Sequence, residues 1–302
     1  MAQILTPESV LGQNEQFLIY GEPKTGKTEL ALSAPGPIYV LCIGPENELK
    51  TRYSKHFMER PDGGPDKIVY FDSARETRGK HGEITDNPTG FDEACTHLDQ
   101  MLHDVQTGKM EKPETIIVDN ATVLEEYQMN KAMIAGYDLA GNKEKTALKR
   151  MRDYGIIKPG DSDWGAAQSL MSKMVSWLFA LPYNLVMVAH EYKEFESKGE
   201  NSRDRQISGI YPLFVGQQRI QITRAFDNVW RTTTAGGGRT TQYWTQTTGD
   251  ERVVAGTRVG GVLQEKEQNL SLTNVIEAFK KYPQTLADRK SGTKEAVARV
   301  RG

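Results

Sequence analysis

The 302-residue sequence has few cysteines and lacks any long apolar run. Its two cysteines, Cys42 and Cys95, stand far apart, which argues against a disulfide framework or a zinc site and favours a reducing setting. No run approaches the ~18 apolar residues that a membrane-spanning helix needs. The first residues also lack the basic region and apolar stretch of a signal peptide. These absences predict a cytoplasmic protein that does not cross a membrane.

An excess of charge of one sign is missing as well. The chain carries 38 basic and 40 acidic residues, a net charge of −2. This balance excludes a protein that is basic throughout and leaves room for local basic patches. The composition, 37% hydrophobic and 26% charged, is typical of a globular protein. We predict one large domain over residues 1–283, followed by a basic, flexible tail over residues 284–302.

The sequence GEPKTGKT at residues 21–28 has the spacing of a Walker A phosphate loop, between an apolar run and good helix formers. Gly21 and Gly26 allow the backbone to turn its N–H groups towards anionic oxygens. We expect Lys27 to reach the β- and γ-phosphates and Thr28 to offer its hydroxyl to Mg²⁺. The predicted nucleotide-binding residues are Gly21, Glu22, Pro23, Lys24, Thr25, Gly26, Lys27 and Thr28.

Residues 114–120, ETIIVDN, form a second motif. A β-branched run ends in Asp119, which is typical of a Walker B strand. An aspartate at the tip of a buried strand, beside a phosphate loop, can hold Mg²⁺ through a water molecule. The two motifs together predict ATP and Mg²⁺ as cofactors.

The rest of the chain alternates apolar strands with helical patterns, which predicts an α/β fold. We expect a mostly parallel, twisted sheet with helices on both faces and a C-terminal antiparallel β-meander. Further parallel strands are predicted at 38–43, 67–72 and 184–190, and the meander at 226–232, 240–247 and 252–258. Helices are predicted at 91–105, 121–135, 163–181, 212–224 and 272–282. The charged, unpatterned segment 191–208 is expected to be a flexible loop.

Several polar residues follow the predicted strands at the edge where α/β sheets bind ligands. Glu46 and Glu48 come just after strand 38–43, and His190 ends strand 184–190, which favours a phosphate-sensing role for this histidine. Between residues 131 and 158 basic residues outnumber acidic ones, and this patch is either a solvated helical face or a nucleic-acid contact.

Taken together, these motifs resemble the RecA-type ATPase core, most of all the phage-encoded, core-only type that includes single-strand annealing recombinases. The likeness is carried by GEPKTGKT, by the glutamate of PENELKTRY (45–53), and by IIVDN (116–120). It is also carried by VMVAH (186–190) and GTRVG (256–260). It implies a Mg²⁺-dependent ATPase that binds single-stranded DNA and promotes annealing or homologous recombination. Implied partners are single-stranded DNA, further copies of the chain in a ring or filament, and a single-strand DNA-binding protein, all in the host cytoplasm.

The resemblance also implies roles for single residues. Glu46, with Glu48 as the fallback, would polarise the attacking water, and His190 would report the γ-phosphate to the DNA-binding loops. Arg258 would act as an arginine finger on the nucleotide of a neighbouring subunit, although this chain has Gly256 where the family pattern has lysine. Segments 131–160 and 191–216 occupy the places of the DNA-holding loops.

Other readings of the same motifs stay open. A RecA-like helicase or helicase partner in DNA replication would share them, and it would unwind forked duplexes. A nucleotide-switched assembly or packaging factor would have a protein partner and no salt-dependent affinity for DNA. A metabolic kinase is the weakest alternative, since no lid or small-molecule motif supports it.

Overall fold

The computed structural model describes residues 14–44, 69–80, 87–139, 161–197, 205–216, 218–237, 240–259 and 261–290. The strands are β1 (Gln16–Gly21), β2 (Ile38–Ile43), β3 (Val69–Ala74), β4 (Thr115–Asp119), β5 (Asn184–Ser197), β6 (Arg205–Pro212), β7 (Asn228–Ala235), β8 (Gln242–Gln246), β9 (Gly256–Thr257) and β10 (Lys266–Gln268). The helices are α1 (Lys27–Leu32), α2 (Gly90–Gln106), α3 (Ala121–Leu139), α4 (Asp161–Ala180), α5 (Gln218–Ala225) and α6 (Leu272–Lys290).

These strands form one sheet in the order β10-β8-β7-β1-β5-β4-β2-β3, with β6 added to β5 and β9 to β7. The pairs from β7 through β1, β5, β4 and β2 to β3 are all parallel. The pairs β7·β8 and β8·β10 are antiparallel. The predicted fold class, a mostly parallel sheet with a C-terminal antiparallel extension, is therefore confirmed.

The central strands are apolar on both faces because each face is covered by helices. Leu18 and Tyr20 of β1 belong to one core with side chains of α2, α3 and α4. Phe17 and Ile19 belong to the other core, with side chains of α1 and α6. Successive side chains of a strand point to opposite faces, so a continuous apolar run is what a strand buried on both sides requires.

The C-terminal meander differs from its prediction in its third strand. Only Gly256–Thr257 of the expected segment 252–258 pairs as a strand, along β7. Asp250 Oδ1 accepts hydrogen bonds from the backbone N–H groups of Arg252 and Val253, both at 2.8 Å. Such a side-chain bond offers the backbone an alternative to the ladder, and it turns the chain there. The closing helix is also longer than predicted, because α6 continues to Lys290.

The predicted loop at 191–208 is wrong in its described part. Strand β5 does not end at His190 but continues to Ser197, and β6 returns antiparallel to it, with Tyr192 opposite Tyr211. We call the pair formed by 191–197 and 205–212 the outer hairpin. The sequence shows no apolar–polar alternation here because both sides of the strand hold polar contacts. Glu191 and Lys193 point to one side, and Tyr192 stacks under Arg219 on the other.

Candidate functional site

The phosphate loop connects β1 to α1 at the carboxyl edge of the central sheet, and both of its glycines are sterically required. A Cβ atom on Gly21 would lie 2.4 Å from the carbonyl oxygen of Thr232. Gly26, the N-cap of α1, has φ of +84° in the left-handed region. A Cβ atom on Gly26 would also lie 3.0 Å from Cδ1 of Tyr243. A side chain at Gly21 would clash with the backbone of β7, and one at Gly26 would strain the left-handed backbone.

The ammonium of Lys27 is folded over the mouth of the loop. Its Nζ donates hydrogen bonds to the carbonyl oxygens of Gly21 at 2.9 Å and Glu22 at 2.6 Å. The residue is only 8% exposed, so the charge is held close to the loop and away from solvent. A phosphate lying in the loop would meet this cation together with the N–H groups at the start of α1.

The structure brings Thr28 and Asp119 together, although they are 91 residues apart in the chain. The hydroxyl of Thr28 donates to Oδ2 of Asp119 at 2.6 Å, and Asp119 is 3% exposed at the carboxyl end of β4. The next peptide bond, to Asn120, is cis. A hydroxyl and a carboxylate oxygen beside a phosphate site are ligands that Mg²⁺ accepts.

Lys27, Thr28 and Asp119 are therefore suited to bind a nucleoside triphosphate together with Mg²⁺. In the described part of the chain, no group of three or more metal-ligating side chains (His, Cys, Asp or Glu) converges. Mg²⁺ commonly uses one or two carboxylates with phosphate oxygens and water, so Asp119, Thr28 and a bound triphosphate would suffice. The role of these two residues as metal ligands stays a prediction.

His190 lies beside the loop, paired in register with Gly21. Its backbone N–H donates to Oγ1 of Thr122 at 3.0 Å, and its carbonyl oxygen accepts from the N–H of Leu213 at 2.7 Å. The histidine is half-buried and connects the start of α3 to the end of the outer hairpin. It lies inside a strand, where the sequence predicted a strand end, and its phosphate-sensing role stays a prediction.

Two predicted glutamates fall outside the described residues. Glu46 and Glu48 follow β2, and the described residues after this strand end at Gly44. Gly44 has φ of +91° and lies close to α3, where an added Cβ would be 3.5 Å from Val123. Most of the basic patch over 131–158 lies outside as well; its described member Lys131 forms an ion pair with Asp92.

Arg258 lies at the opposite edge of the sheet from the phosphate loop. Its Nη1 lies 3.0 Å from Oδ1 of Asp227, and its backbone N–H donates to the carbonyl oxygen of Asp227, also at 3.0 Å. Asp227 precedes β7 by one residue, whereas Thr232 of β7 is the partner of Gly21. Five strand residues span about 17 Å, so Arg258 is remote from the loop of its own chain.

An ion network that the sequence did not reveal joins the loop to the outer hairpin. Glu191, whose side chain is 1% exposed, receives two hydrogen bonds from Arg231, Nε at 2.7 Å and Nη2 at 3.1 Å. Lys193 lies 3.6 Å from Glu191 and also pairs with Glu22 of the loop. The hydrogen bond from Lys193 lowers the pKa of Glu22, and the same contact raises the pKa of Lys193.

A buried carboxyl group lies one helical turn beyond Thr122. Both oxygens of Glu125 accept from the backbone N–H of Val215, at 3.0 and 3.1 Å. Burial raises the pKa of Glu125 to about 7. No sequence pattern marks this residue, because its partner is a backbone group 90 residues away.

Comparison with known proteins adds a family and a fold likeness. The family described as AAA domain matches residues 13–259. Among curated proteins, none matches the chain. Among solved structures, the flagellar accessory protein FlaH from Methanocaldococcus jannaschii is similar over 85% of this chain and 87% of its own, with 10% identity and a TM-score of 0.37. None of the helices in the described part is long and apolar enough to span a membrane.

Proposed function

This chain belongs to the AAA domain family, and from that premise we propose that it is a Mg²⁺-dependent ATPase that binds single-stranded DNA and promotes annealing or homologous recombination. The family and the loop geometry support the general part, a nucleotide-binding ATPase. The contact between Thr28 and Asp119, beside a buried Lys27, carries that part. The DNA-directed part rests on the resemblance and on the position of the outer hairpin.

In the proposed ATPase the loop N–H groups cradle the phosphates, and Lys27 exchanges its bonds to the loop carbonyls for the β- and γ-phosphates. Thr28 and Asp119 would hold Mg²⁺, the latter through water, and this ion would supply positive charge against the transferring phosphoryl group. Glu46, or Glu48 in its place, orients the attacking water. His190 senses the γ-phosphate.

The outer hairpin is suited to relay this state because it grows out of the strand that contains His190. Two of its rings contact a cationic group of α5: the guanidinium of Arg219 lies 4.1 Å from the ring centroid of Tyr192 and 5.2 Å from that of Tyr211. Phe195 near its tip is 52% exposed. Exposed rings and basic groups are the means by which proteins hold single strands.

Single-stranded DNA binding, measured over a range of salt concentrations with and without a non-hydrolysable ATP analogue, tests the proposal. We expect the analogue to strengthen binding, and log K to fall linearly with log salt as counterions are released. ATPase activity should rise when single-stranded DNA is added. Failure to bind either ligand would overturn the proposal.

Two further outcomes would favour a different function for the protein. Directional unwinding of a forked duplex would indicate a helicase, since an annealing protein does not unwind. ATP binding without salt-dependent DNA affinity would indicate a nucleotide-switched assembly factor with a protein partner.

The arginine finger has its own test in mixed subunits. Arg258→Ala protein and Lys27→Ala protein should each be inactive, for different reasons. Mixing them should restore part of the ATPase activity if Arg258 serves a neighbour's nucleotide, because some sites then combine an intact loop with an intact arginine. No recovery on mixing would contradict a role in trans.

A further inference from the structure

We infer that Tyr243 of β8 forms the wall of the phosphate-loop site that contacts the nucleoside, the base and ribose, of the bound triphosphate. Tyr243 belongs to none of the predicted motifs. The inference rests on the proposed function, because it assigns the nucleoside end of the ligand whose phosphates that function places in the loop.

The tyrosine ring lies directly against the loop. The position of a Cβ atom on Gly26 would be 3.0 Å from Cδ1, 3.5 Å from Cε1 and 3.6 Å from Cγ of Tyr243. The ring thus packs on the last glycine before Lys27. Tyr243 remains 45% exposed, and it is one of the few large hydrophobic side chains in the described residues with so much exposure. An aromatic group that touches a binding loop and remains open to solvent can take a ligand on its free surface.

The ring is held by strands, so it is already in place before a ligand arrives. In the antiparallel pair of β7 and β8, Tyr243 lies opposite Thr234, and Thr245 lies opposite Thr232. Thr232 in turn shares a hydrogen bond of 2.7 Å with Thr25 of the loop. The β7–β8 hairpin and the phosphate loop are therefore fastened together at two points, the hydroxyl contact and the ring on Gly26.

The direction of the ligand follows from the strand order. Asp119 lies on β4, two strands from β1 on one side, and Tyr243 lies on β8, two strands from β1 on the other. The contact of Thr28 with Asp119 marks the end where the metal and the terminal phosphate belong. A nucleoside triphosphate that lies along the loop must then extend its nucleoside towards β7 and β8, where the ring of Tyr243 is.

Stacking on an aromatic ring uses the π-face that every base has, so it contributes affinity without selecting strongly among bases. A variant without the ring therefore loses this stacking affinity. A ligand that has phosphates but no nucleoside never gains it. Tripolyphosphate is such a ligand.

The test compares the dissociation constants of magnesium ATP and magnesium tripolyphosphate by titration calorimetry. Tyr243→Leu keeps an apolar group on Gly26 and removes the ring; we expect roughly tenfold weaker ATP binding, with tripolyphosphate affinity unchanged. Tyr243→Phe should bind both ligands like the wild type. Ile220→Ala is the matched control, because Ile220 is 51% exposed on α5, and it should change neither affinity.

The outcomes separate this inference from the proposed function. If Tyr243→Leu weakens ATP and tripolyphosphate equally, the ring only shapes the loop and the inference is wrong. An unchanged ATP affinity overturns it as well. In both cases the nucleotide-binding function stands, since the wild type still binds ATP. A wild type that binds neither ligand would instead overturn the proposed function and this inference together.

Discussion

The phosphate loop and the outer hairpin lie side by side, and they are held by different forces. The loop keeps its shape through local geometry: Gly26 has a left-handed φ, and Lys27 bonds the carbonyls of its own turn. The hairpin is fastened to the loop by charges whose partners are far away in the chain, such as Lys193 and Glu22, which are 171 residues apart. Structure built from neighbouring residues leaves a motif in the sequence, whereas structure built from distant ion pairs leaves only a charged stretch.

The largest effect is expected from a substitution in the phosphate loop. Lys27→Ala removes the buried cation that faces the phosphates, and ATP turnover should fall at least about a hundredfold. Steady-state phosphate release measures it. Lys109→Ala, which changes an exposed lysine just after α2, is the control and should leave turnover unchanged. Turnover of Lys27→Ala near the wild-type rate would show that the loop does not hold a substrate.

The next largest effect is expected from removing the buried ion pair beside the outer hairpin. Arg231→Met leaves the buried carboxylate of Glu191 without its bidentate partner, and removing one member of a buried ion pair costs about 3 kcal/mol. Urea unfolding should show this loss. The double variant Arg231→Met with Glu191→Met should recover most of the stability, because no buried charge is then left alone. A double variant less stable than the single one would contradict this account.

A pH experiment tests the contact that joins α3 to the segment just after the outer hairpin, the hydrogen bond from Val215 to Glu125. The pKa of Glu125 is raised to about 7 in the folded protein, above its value of about 4.3 in an unfolded chain. Folding therefore favours the protonated form, and the stability that this carboxyl contributes is lost as the pH rises from about 4.5 through 7. Glu125→Gln should raise stability at pH 8 by about 1–3 kcal/mol and flatten the pH dependence of Tm.

Thermal unfolding between pH 5 and pH 8 measures that difference. Glu126→Gln is a matched control on the next residue, which is exposed and paired with Arg78. A pH dependence of Tm that is the same in Glu125→Gln and the wild type would show that Glu125 is ionised throughout.

The smallest effect concerns the ion pair that joins the two regions. Lys193→Met removes a half-exposed lysine from Glu22 and Glu191. Exposed pairs contribute less than about 1 kcal/mol, so global stability should hardly change. Hydrogen exchange of the outer hairpin should nevertheless speed up, with that of β1 unchanged. Equal protection of the hairpin in both proteins would show that the pair does not fasten it.

The sequence was sufficient for those parts of the fold that depend on continuous patterns. The apolar runs of β1, β2 and β4 predicted the parallel sheet, since strands buried on both faces admit few polar residues. Thr28 and Asp119 could be assigned to one site because each belongs to a motif whose place in a sheet is general.

The outer hairpin and the contacts of β7 and β8 with the loop could not be predicted from sequence patterns, because they depend on tertiary contacts. The apolar run of β5 ends near His190, yet the strand continues through charged residues to Ser197 and pairs there with β6. Tyr243 and Thr232 contact the loop only through strand pairing across more than 200 residues. Asp250 turns the chain at the start of the predicted strand 252–258, because its side chain accepts hydrogen bonds from the N–H groups of Arg252 and Val253. Composition alone did not reveal these bonds.

The location of Arg258 limits how copies of the chain could cooperate. If this arginine serves a neighbour, the amino edge of one sheet must face the carboxyl edge of the next, and the contact joins two unlike surfaces. Repeating such a head-to-tail contact gives either a closed ring or an open helix. In an open helix one terminal subunit always lacks its donor, so the rate per subunit would climb as the polymer lengthens. A closed ring would show no such dependence.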